Sequence, residues 1–555
     1  MNPEDRYGWC GRILEINLSA GSITTITPQS NLLHEYLGGR GLGARFVYDN
    51  GVVDALSEDN ILVFAAGPLT GTPTPASGRA SVTTKSPATG TIFDANAGGK
   101  FGYVLKKAGF DAIVVRGIAE MPVIIEVEDD EVDIKDGRNL WGINVKEATN
   151  ILKKRKKGSF AVIGKAGERR SNIASIAVDG SHYFARGGVG AVMGSKNLKA
   201  IVISGSGKVQ IFDKDQFEKT RRTIHRMLVA SPTIDKGLKV FGTPVLVKIA
   251  EWMQILPVGN FSGEAFDASS LYGSKLKSAH PSKRRACPAC PIGCKREENG
   301  GYELPEYETI AMFGPNLLNR DLETIIEANR ICNDYGIDTI SAGGIIADLG
   351  VTGSDEILGL VKDLGESGIN SKHSSSISVK GLELPGYDPR RVMGLGFSYA
   401  TSNRGGCHTR AYMVAPEILK KPKAINPLTL GGKAGYVKVF QDRFAAVDSL
   451  VVCKFAFFGV SEEEYANILT AVTGLEFTSE DLMCVGERIW NLERLYNLRE
   501  GFTRADDTLP EQFFDGLSRD AFEDTLDEYY AIRGWDDGGV PKKDKLRRLG
   551  LLKKE

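Results

Sequence analysis

The chain has 555 residues and a net charge of −1 at pH 7, from 69 Lys and Arg against 70 Asp and Glu. This length predicts about two to four domains, and the balanced charge lacks the basic field that nucleic-acid binding usually needs. The polar amino terminus carries no secretory signal, and no apolar run reaches the length of a membrane span. We therefore expect a cytoplasmic protein whose eight cysteines are metal ligands or free thiols rather than disulfides.

The first third of the chain, residues 1–207, carries short β-branched runs separated by glycine turns, a pattern typical of strands. Residues 12–18 and 22–27 flank a Ser-Ala-Gly turn and predict a hairpin. Further predicted strands lie at 60–65, 112–116, 123–128, 160–164 and 200–204.

Three glycine-dense segments, at 38–43, 96–99 and 186–194, are predicted to be loops. None of them fits the dinucleotide fingerprint or a P-loop. Two interpretations stay open. The segments are turns in a large twisted sheet, or their bare amides line a phosphate or polyanion with help from Arg79, Lys85 and Arg186.

From residue 208 the apolar residues recur at helical spacing, which predicts helices at 213–230, 243–256, 322–333 and 355–364. The sequence Thr-Ser-Glu-Asp at 478–481 resembles a capping box that opens another helix. A segment rich in Ser, Gly and Lys at 365–378 indicates a domain boundary. We predict an α+β fold, with a β-rich amino-terminal domain (1–207) followed by two mainly helical domains (208–378 and 379–555).

Three cysteines, Cys287, Cys290 and Cys294, lie within eight residues on a Pro- and Gly-containing loop. Thiolates at this spacing can converge on one metal centre, with a fourth ligand from elsewhere. The best distant candidate is Cys453, which follows an apolar approach. A [4Fe–4S] cluster, a structural zinc site and plain buried thiols remain possible. The spacing favours the cluster, because zinc sites more often use paired C-x2-C knuckles or Cys/His mixtures.

Two further features could carry chemistry. His408 follows a glycine pair, although a lone histidine is more often structural than catalytic. Glu308 ends a group of carboxylates at 303–308, which act as general bases if they are buried and are merely solvated if exposed. The segments 333–338 and 448–453 share a six-residue frame, which could grip two halves of one pseudo-symmetric ligand.

Several stretches in the right order resemble the tungsten-containing aldehyde:ferredoxin oxidoreductase family. They are residues 66–71, 84–87, 186–199, 287–294 and 404–408, and the similarity runs over essentially the whole length. The resemblance implies a β-rich base for a tungsten bis-pterin cofactor, with molybdenum as the alternative metal, covered by two helical domains.

The same resemblance implies a role for each matched residue. A [4Fe–4S] cluster would be ligated by Cys287, Cys290, Cys294 and Cys453. Arg79 and the loop from Asn96 to Gly98 would serve the pterin phosphates and a bridging Mg²⁺. The pterin rings would contact Asn333, Asp338, Asp448 and Val452. Glu308 and His408 would form an acid/base pair beside the metal, with Tyr307 lining the same pocket.

Three positions depart from the family pattern. The frame begins with Asn333 in one copy and has Val451 in place of Gly in the other. Arg330 replaces the His of the E-x-x-H segment that some members carry, so a homodimer built around an intersubunit iron is not implied.

The expected function is oxidation of a small aldehyde to a carboxylic acid, with electrons passing through the cluster to ferredoxin or an Fe–S partner subunit. One alternative is the catalytic subunit of a related reductase complex that acts on an acyl thioester. A second alternative is an Fe–S electron-transfer or zinc-binding protein without a catalytic metal. Either a homodimer or a hetero-oligomer is compatible with the sequence.

Overall fold

The computed structural model describes residues 6–263, 265–367 and 375–552. Its amino-terminal part contains two six-stranded sheets. The first comprises β1 (Ile13–Asn17), β2 (Ser22–Ile26), β3 (Leu62–Ala65), β4 (Ala80–Lys85), β5 (Ile92–Ala97) and β6 (Ala112–Arg116), in the spatial order β2-β1-β6-β3-β4-β5. Strands β1 and β6 pair in parallel, and the other neighbours pair antiparallel.

The second sheet comprises β7 (Val123–Glu128), β8 (Glu131–Asp136), β9 (Ser159–Ile163), β10 (Ile176–Val178), β11 (His182–Phe184) and β12 (Leu198–Ser204), in the spatial order β11-β10-β9-β12-β7-β8. The two sheets share an apolar core in which the Phe64 and Phe184 rings meet edge to face at 5.9 Å. Burial of both sheets explains why β3 and β9 are continuous apolar runs rather than alternating ones.

All the predicted strands are confirmed, but two of the three predicted loops are wrong. Residues 39–43 begin the helix Gly39–Asn50, and residues 189–194 lie in the helix Val189–Ser195. Close packing is the reason for these glycines. A Cβ at Gly43 would lie 2.2 Å from Thr83 Oγ1, and one at Gly194 would lie 1.8 Å from the Gly167 carbonyl oxygen. The glycines bring helix and sheet together instead of forming turns.

After residue 205 the fold is mainly helical, as predicted. Among the described residues of this part, the strands form two short ribbons, β13 (Ser282–Arg285) with β14 (Lys295–Glu298) and β15 (Ser378–Val379) with β16 (Leu382–Glu383). The main helices are Lys214–Ala230, Val245–Trp252, Gly273–Ala279, Tyr307–Phe313, Leu322–Tyr335, Thr339–Asp348, Ser354–Ser367, Met393–Ala400, Lys433–Leu450, Glu462–Thr473, Ser479–Arg499, Arg519–Arg533 and Lys543–Arg548. Shorter helices in the amino-terminal part are Ser30–Tyr36, Phe101–Lys107, Val145–Arg155 and Lys165–Glu168.

Local signals at the helix ends act as the sequence predicts. The capping box is confirmed at Thr478, whose Oγ1 accepts from the Asp481 N–H at 3.1 Å while Asp481 Oδ2 accepts from the Thr478 N–H at 2.8 Å. The predicted boundary at 365–378 falls partly on residues 368–374, which lie outside the described residues. In the part of the chain that the structure describes, none of the helices has the length and apolarity to cross a membrane.

The amino-terminal part and the carboxyl-terminal helices are joined through a buried helix. Gly39–Asn50 packs against both Lys433–Leu450 and Ser479–Arg499. Its Arg40 is fully buried and donates to both carboxylate oxygens of Glu493, at 2.7 and 2.6 Å. Breaking such a buried pair costs about 3–5 kcal/mol, so this contact holds the helix Ser479–Arg499 against Gly39–Asn50.

Candidate active site

A cavity of about 380 Å³ lies where the β-rich part and the two helical parts meet. Its walls come from the loop after β5, from the cysteine loop between β13 and β14, from the start of Tyr307–Phe313, and from the segments 404–412 and 448–455. The structure brings all but one of the predicted site residues to this cavity. They are Arg79, Asn96, Gly98, Arg186, Cys287, Cys290, Cys294, Tyr307, Glu308, Asp338, His408, Asp448, Val452 and Cys453.

Asn333 is the exception, because it does not line the cavity. It lies in the last turn of Leu322–Tyr335, and its backbone carbonyl accepts a hydrogen bond from the Tyr183 hydroxyl at 3.2 Å. Tyr183 does line the cavity. Asn333 therefore reaches the site through a neighbouring tyrosine and not through its own side chain, whereas Asp338 at the other end of the frame lines the cavity directly.

The four cysteines form one wall. Cys287, Cys290 and Cys294 lie on the loop that joins β13 to β14, and Cys453 enters two residues after the helix Lys433–Leu450 ends at a residue with left-handed backbone. Burial, together with the nearby Cys453, raises the pKa of the Cys290 thiol to about 11. Burial also raises the pKa values of Cys294 and Cys453. Burial therefore favours the neutral thiol at these positions, and the thiolate forms would need a metal or a cation to stabilise them.

The glycine loop after β5 lies directly against this wall. The Gly99 N–H donates to Cys287 Sγ at 3.3 Å. A Cβ on Gly98 would lie 2.8 Å from the same sulfur and 2.7 Å from His182 Cδ2. The close approach of backbone to thiol explains why residue 98 is a glycine.

Arg79 connects the thiol wall to Asn96, at the start of the glycine loop after β5. Its Nε donates to Asn96 Oδ1, and its Nη2 donates to the Asn96 carbonyl at 2.9 Å. Burial lowers its pKa, but the facing Cys453 and Cys287 thiols and the Asp448 carboxylate outweigh this and raise it. The Asn96 amide nitrogen is buried and has no partner among the described residues, so it is a donor available to a ligand.

The floor of the cavity is a network of buried charges that sequence reasoning missed. Arg410 pairs with Asp94 at 2.6 Å and with Asp448 at 3.5 Å, and Lys454 bonds to the other oxygen of Asp448. Although burial alone would raise it, Arg410 and the neighbouring cations lower the pKa of Asp94 to about 2. The one available signal was an aspartate in the middle of the apolar strand β5.

Seven cationic side chains and five carboxylates line the cavity, which leaves a surplus of positive charge. The cations are Arg79, Arg186, Arg285, Lys295, Arg404, Arg410 and Lys454. Buried like charges are costly unless they are paired. The lining is therefore suited to a polyanion such as a phosphate-bearing cofactor.

Arg186 is predicted to help bind an anion, but its guanidinium group is bonded to other parts of the protein. Its Nε donates to Asp338 Oδ2 at 3.1 Å, and its two Nη atoms donate to the carbonyls of Gly406 and Glu383 at 2.7 and 2.6 Å. Asp338 in turn caps the helix Thr339–Asp348. All three guanidinium nitrogens are occupied, so Arg186 ties the β-rich part to both helical parts beside the cavity.

Glu308 and His408 form a pair inside the cavity. His408 Nε2 lies 3.5 Å from Glu308 Oε1, and each side chain exposes less than a fifth of its surface. The Gly386 N–H donates to Glu308 Oε2 at 2.8 Å. Glu308 Oε1 and His408 Nδ1 have no hydrogen-bond partner among the described residues.

Burial shifts both pKa values away from the charged forms. It raises the pKa of Glu308 to about 8, although the Gly386 N–H and Arg186 act in the opposite direction. It lowers the pKa of His408 to about 3, and Arg186 and Arg404 lower it further. At neutral pH the histidine is neutral and the glutamate is close to titration, which suits a general base.

Aromatic rings fix the position of this pair. The Tyr307 hydroxyl donates to the Gly386 carbonyl at 2.6 Å, and its ring stacks on Tyr387 with centroids 4.8 Å apart. The Tyr387 ring is 5.8 Å from the His408 ring. Tyr387 was not predicted, and it connects the two predicted residues Tyr307 and His408.

Within the described ranges, no group of three or more His, Cys, Asp or Glu side chains surrounds the position of a single metal ion. A buried acid/base pair beside thiols, inside a cationic cavity, is an arrangement that suits an oxidoreductase with a polyanionic redox cofactor.

The comparisons agree with this class. The family model "Aldehyde ferredoxin oxidoreductase, N-terminal domain" matches residues 13–205, and the model for domains 2 and 3 of that family matches residues 219–363 and 359–551. The chain belongs to the aldehyde ferredoxin oxidoreductase family. It is 40% and 39% identical to the tungsten-containing aldehyde ferredoxin oxidoreductases of Pyrococcus furiosus and Thermococcus kodakarensis, over 98% of the chain and 99% of each relative.

A more distant solved structure has the same fold. The active-site complex BamBC of benzoyl coenzyme A reductase, with 1,5-dienoyl-CoA, aligns with a TM-score of 0.86 over 98% of this chain and 97% of that one. The sequence identity is 24%, so this likeness concerns the fold alone.

Proposed function

We propose that the protein is a cytoplasmic tungsten enzyme that oxidises an aldehyde to a carboxylic acid and passes the electrons to ferredoxin or a similar carrier. The observation that carries the proposal is the buried Glu308–His408 pair, which faces the same cavity as the four thiols. Identity of 40% to tungsten-containing relatives supports the metal and the reaction class.

The residues present fit the cofactors that the family implies. Cys287, Cys290, Cys294 and Cys453 would ligate a [4Fe–4S] cluster, in which each iron takes one cysteine. The spacing of Cys287, Cys290 and Cys294 favours such a cluster over a zinc ion, because zinc sites more often use paired C-x2-C knuckles or Cys/His mixtures.

The cationic lining would hold the pterin part. Arg79, Asn96 and Gly98 would serve the phosphates and their Mg²⁺, and Asp338, Asp448 and Val452 would contact the rings. When bound, the tungsten bis-pterin and the cluster supply the two-electron redox chemistry and the exit route for the electrons.

The chain's own residues would handle the protons. The reaction converts R–CHO and water into R–COOH, two protons and two electrons. Ionised Glu308 takes a proton from water as it attacks the carbonyl carbon, and the free Oε1 is the atom that receives it. Neutral His408, in the tautomer with a proton on Nε2, donates a hydrogen bond to the oxygen on which negative charge develops.

Two measurements on anaerobically purified protein test the proposal. Elemental analysis should give about one tungsten and about four irons per chain, as one bis-pterin centre and one cubane require. An aldehyde panel with a viologen dye as acceptor should then give turnover that depends on the aldehyde. Molybdenum in place of tungsten would change the metal but not the reaction.

Two results would overturn the proposal. Oxidation of a dienoyl thioester without any aldehyde oxidation would place the protein among the acyl-thioester reductases. Zinc alone, after expression in a host that makes the pterin cofactor, would leave a binding protein without redox chemistry.

A further inference from the structure

The segment that carries the cysteine loop has an unusual charge distribution. Residues 268–296 contain seven Lys and Arg and no Asp or Glu, in a chain that otherwise has nearly equal numbers of both. The segment includes Cys287, Cys290 and Cys294. Acidic residues flank the segment at Asp267, Glu297 and Glu298. Glu297 pairs with Arg285, so the cations around the thiol wall are compensated only in part.

The cations lie on the stem of the cysteine loop. Strand β13 ends at Arg285, two residues before the first thiol, and β14 begins at Lys295, directly after the last one. Lys283, Arg284 and Arg285 are exposed. Arg285 pairs with Glu297 at 2.5 Å, whereas Lys283 and Arg284 have no ion-pair partner among the described residues.

Neighbouring elements add to the same surface. Arg296 donates to the Lys239 carbonyl at 2.6 Å, so the turn before Val245–Trp252 packs on the ribbon. A Cβ at Gly242 would lie 2.7 Å from the Cys294 carbonyl oxygen. Lys277 Nζ lies 5.5 Å from the centre of the Phe241 ring, which places the basic helix Gly273–Ala279 beside this turn.

The thiols come close to the protein surface at this place. Cys287 and Cys290 are half-buried, and Ala289 between them is exposed. Electron transfer falls off steeply with distance, so a redox partner gains most by docking where the metal ligands are nearest to solvent.

Resting on the proposed function, we infer that residues 268–296 form the docking surface for an acidic Fe–S electron-carrier protein, with Lys283 and Arg284 as its main charge contacts. Each aldehyde oxidised releases two electrons, and two one-electron carriers in succession accept one each. No bond is made or broken at the surface itself.

The physical reason is electrostatic steering. Complementary charges raise the rate of association, and the gain disappears as salt screens it over about 8–10 Å. Transient redox complexes have small interfaces, under about 1,200 Å². A few uncompensated cations around the exposed loop are therefore enough to select an acidic partner.

The test compares two double variants of the holoenzyme with the same change in net charge. Lys283→Glu/Arg284→Glu changes the docking surface, and Lys542→Glu/Lys543→Glu changes exposed lysines at the helix Lys543–Arg548, which packs on Ser479–Arg499. An acidic [4Fe–4S] ferredoxin is the partner, and its Kd is measured directly at low and high salt. Steady-state turnover is measured with this ferredoxin and with a viologen dye.

In the docking variant we expect the Kd and the KM for ferredoxin to rise at least tenfold at low salt, with viologen turnover within twofold of wild type. Wild type should bind ferredoxin more weakly as salt rises, and the docking variant should lose this salt dependence. The control variant should behave like wild type. An unchanged Kd in the docking variant, or an equal rise in the control, would overturn the inference. The inference would also be overturned if a short DNA duplex bound this surface and ferredoxin did not.

The binding measurement separates this inference from the proposed function. If wild type oxidises no aldehyde with viologen but still binds ferredoxin through Lys283 and Arg284, the proposed substrate is wrong and the docking surface stands. If it oxidises aldehydes and the docking variant reduces ferredoxin normally, the docking surface is wrong and the function stands.

Discussion

Replacing Glu308 by Gln tests the general base most directly. Gln keeps the size of the side chain and can still accept from the Gly386 N–H, but it cannot take a proton. Loss of a general base typically costs about 10²–10⁴-fold in rate, which is at least about 2.7 kcal/mol of transition-state stabilisation. We expect kcat to fall by about 10²-fold or more while tungsten and iron contents stay the same.

The pKa of Glu308 also fixes the pH profile. With a pKa of about 8, about one tenth of the carboxylates are ionised at pH 7 and about nine tenths at pH 9. Because the base works only when ionised, kcat/KM of wild type should rise about tenfold across that interval. The rise should be absent in Glu308→Gln.

The assay is steady-state aldehyde oxidation with a viologen dye between pH 6 and pH 10, with metal analysis of each preparation. Glu356→Gln is the control, because Glu356 is an exposed carboxylate on the helix Ser354–Ser367. Near-normal turnover of Glu308→Gln with full metal content would refute the assignment. A wild-type profile that stays flat between pH 7 and pH 9 would refute the raised pKa, because a carboxylate of ordinary pKa is already ionised at pH 7.

Three further predictions concern the other walls of the cavity. His408→Phe should lower kcat by about 10²-fold, and because its pKa is about 3, the wild-type imidazole should show the neutral ¹⁵N signature from pH 5 to pH 9. Cys453→Ser should lose most of the iron measured per chain, whereas Cys484→Ser on Ser479–Arg499 should keep it. Gly98→Ala should lower tungsten and iron contents, since its Cβ would lie 2.8 Å from a thiol. Gly359→Ala, where a Cβ meets nothing within 4 Å, should retain both metals.

Local signals in the sequence were sufficient for most of the secondary structure. The first hairpin, β1 with β2, needs only alternation and a Gly turn, and the capping box at Thr478 needs four residues. The sequence predicts a loop at the start of the helix Gly39–Asn50, because the close contacts that require its glycines come from residues far away in the sequence. Thr83 on β4 packs against this helix and leaves no room for a Cβ at Gly43. Helix propensity alone cannot register that contact, so it favours a loop.

The candidate site shows the same division. Cys287, Cys290 and Cys294 could be found from their spacing, because they lie on one loop. The charge network could not, since Arg40 and Glu493 are separated by 453 positions in the chain and meet only in the fold. A charged residue has no sequence periodicity that indicates its partner, so buried ion pairs have to be read from the structure.

The repeated frame shows a partial symmetry that the sequence only suggested. In 333–338 and 448–453 alike, a helix ends with the fourth frame residue in the left-handed region, Gly336 at φ +72° and Val451 at φ +59°. In each, the N–H of the next residue donates to a carbonyl five positions back, at 2.8 and 3.2 Å. This is the hydrogen bond of a Schellman cap, so the two frames share one backbone geometry.

Val451 at the second cap is strained where Gly336 at the first is not, because a left-handed conformation costs a residue with a Cβ about 1–2 kcal/mol. Val451 is fully buried, and burying its side chain contributes about 1.5–3 kcal/mol, which offsets the strain. The symmetry ends at the side chains, however. Asp448 faces the cavity and pairs with Arg410 and Lys454, whereas Asn333 does not line it. A pseudo-symmetric ligand would therefore be held on similar backbones but by unequal side-chain contacts.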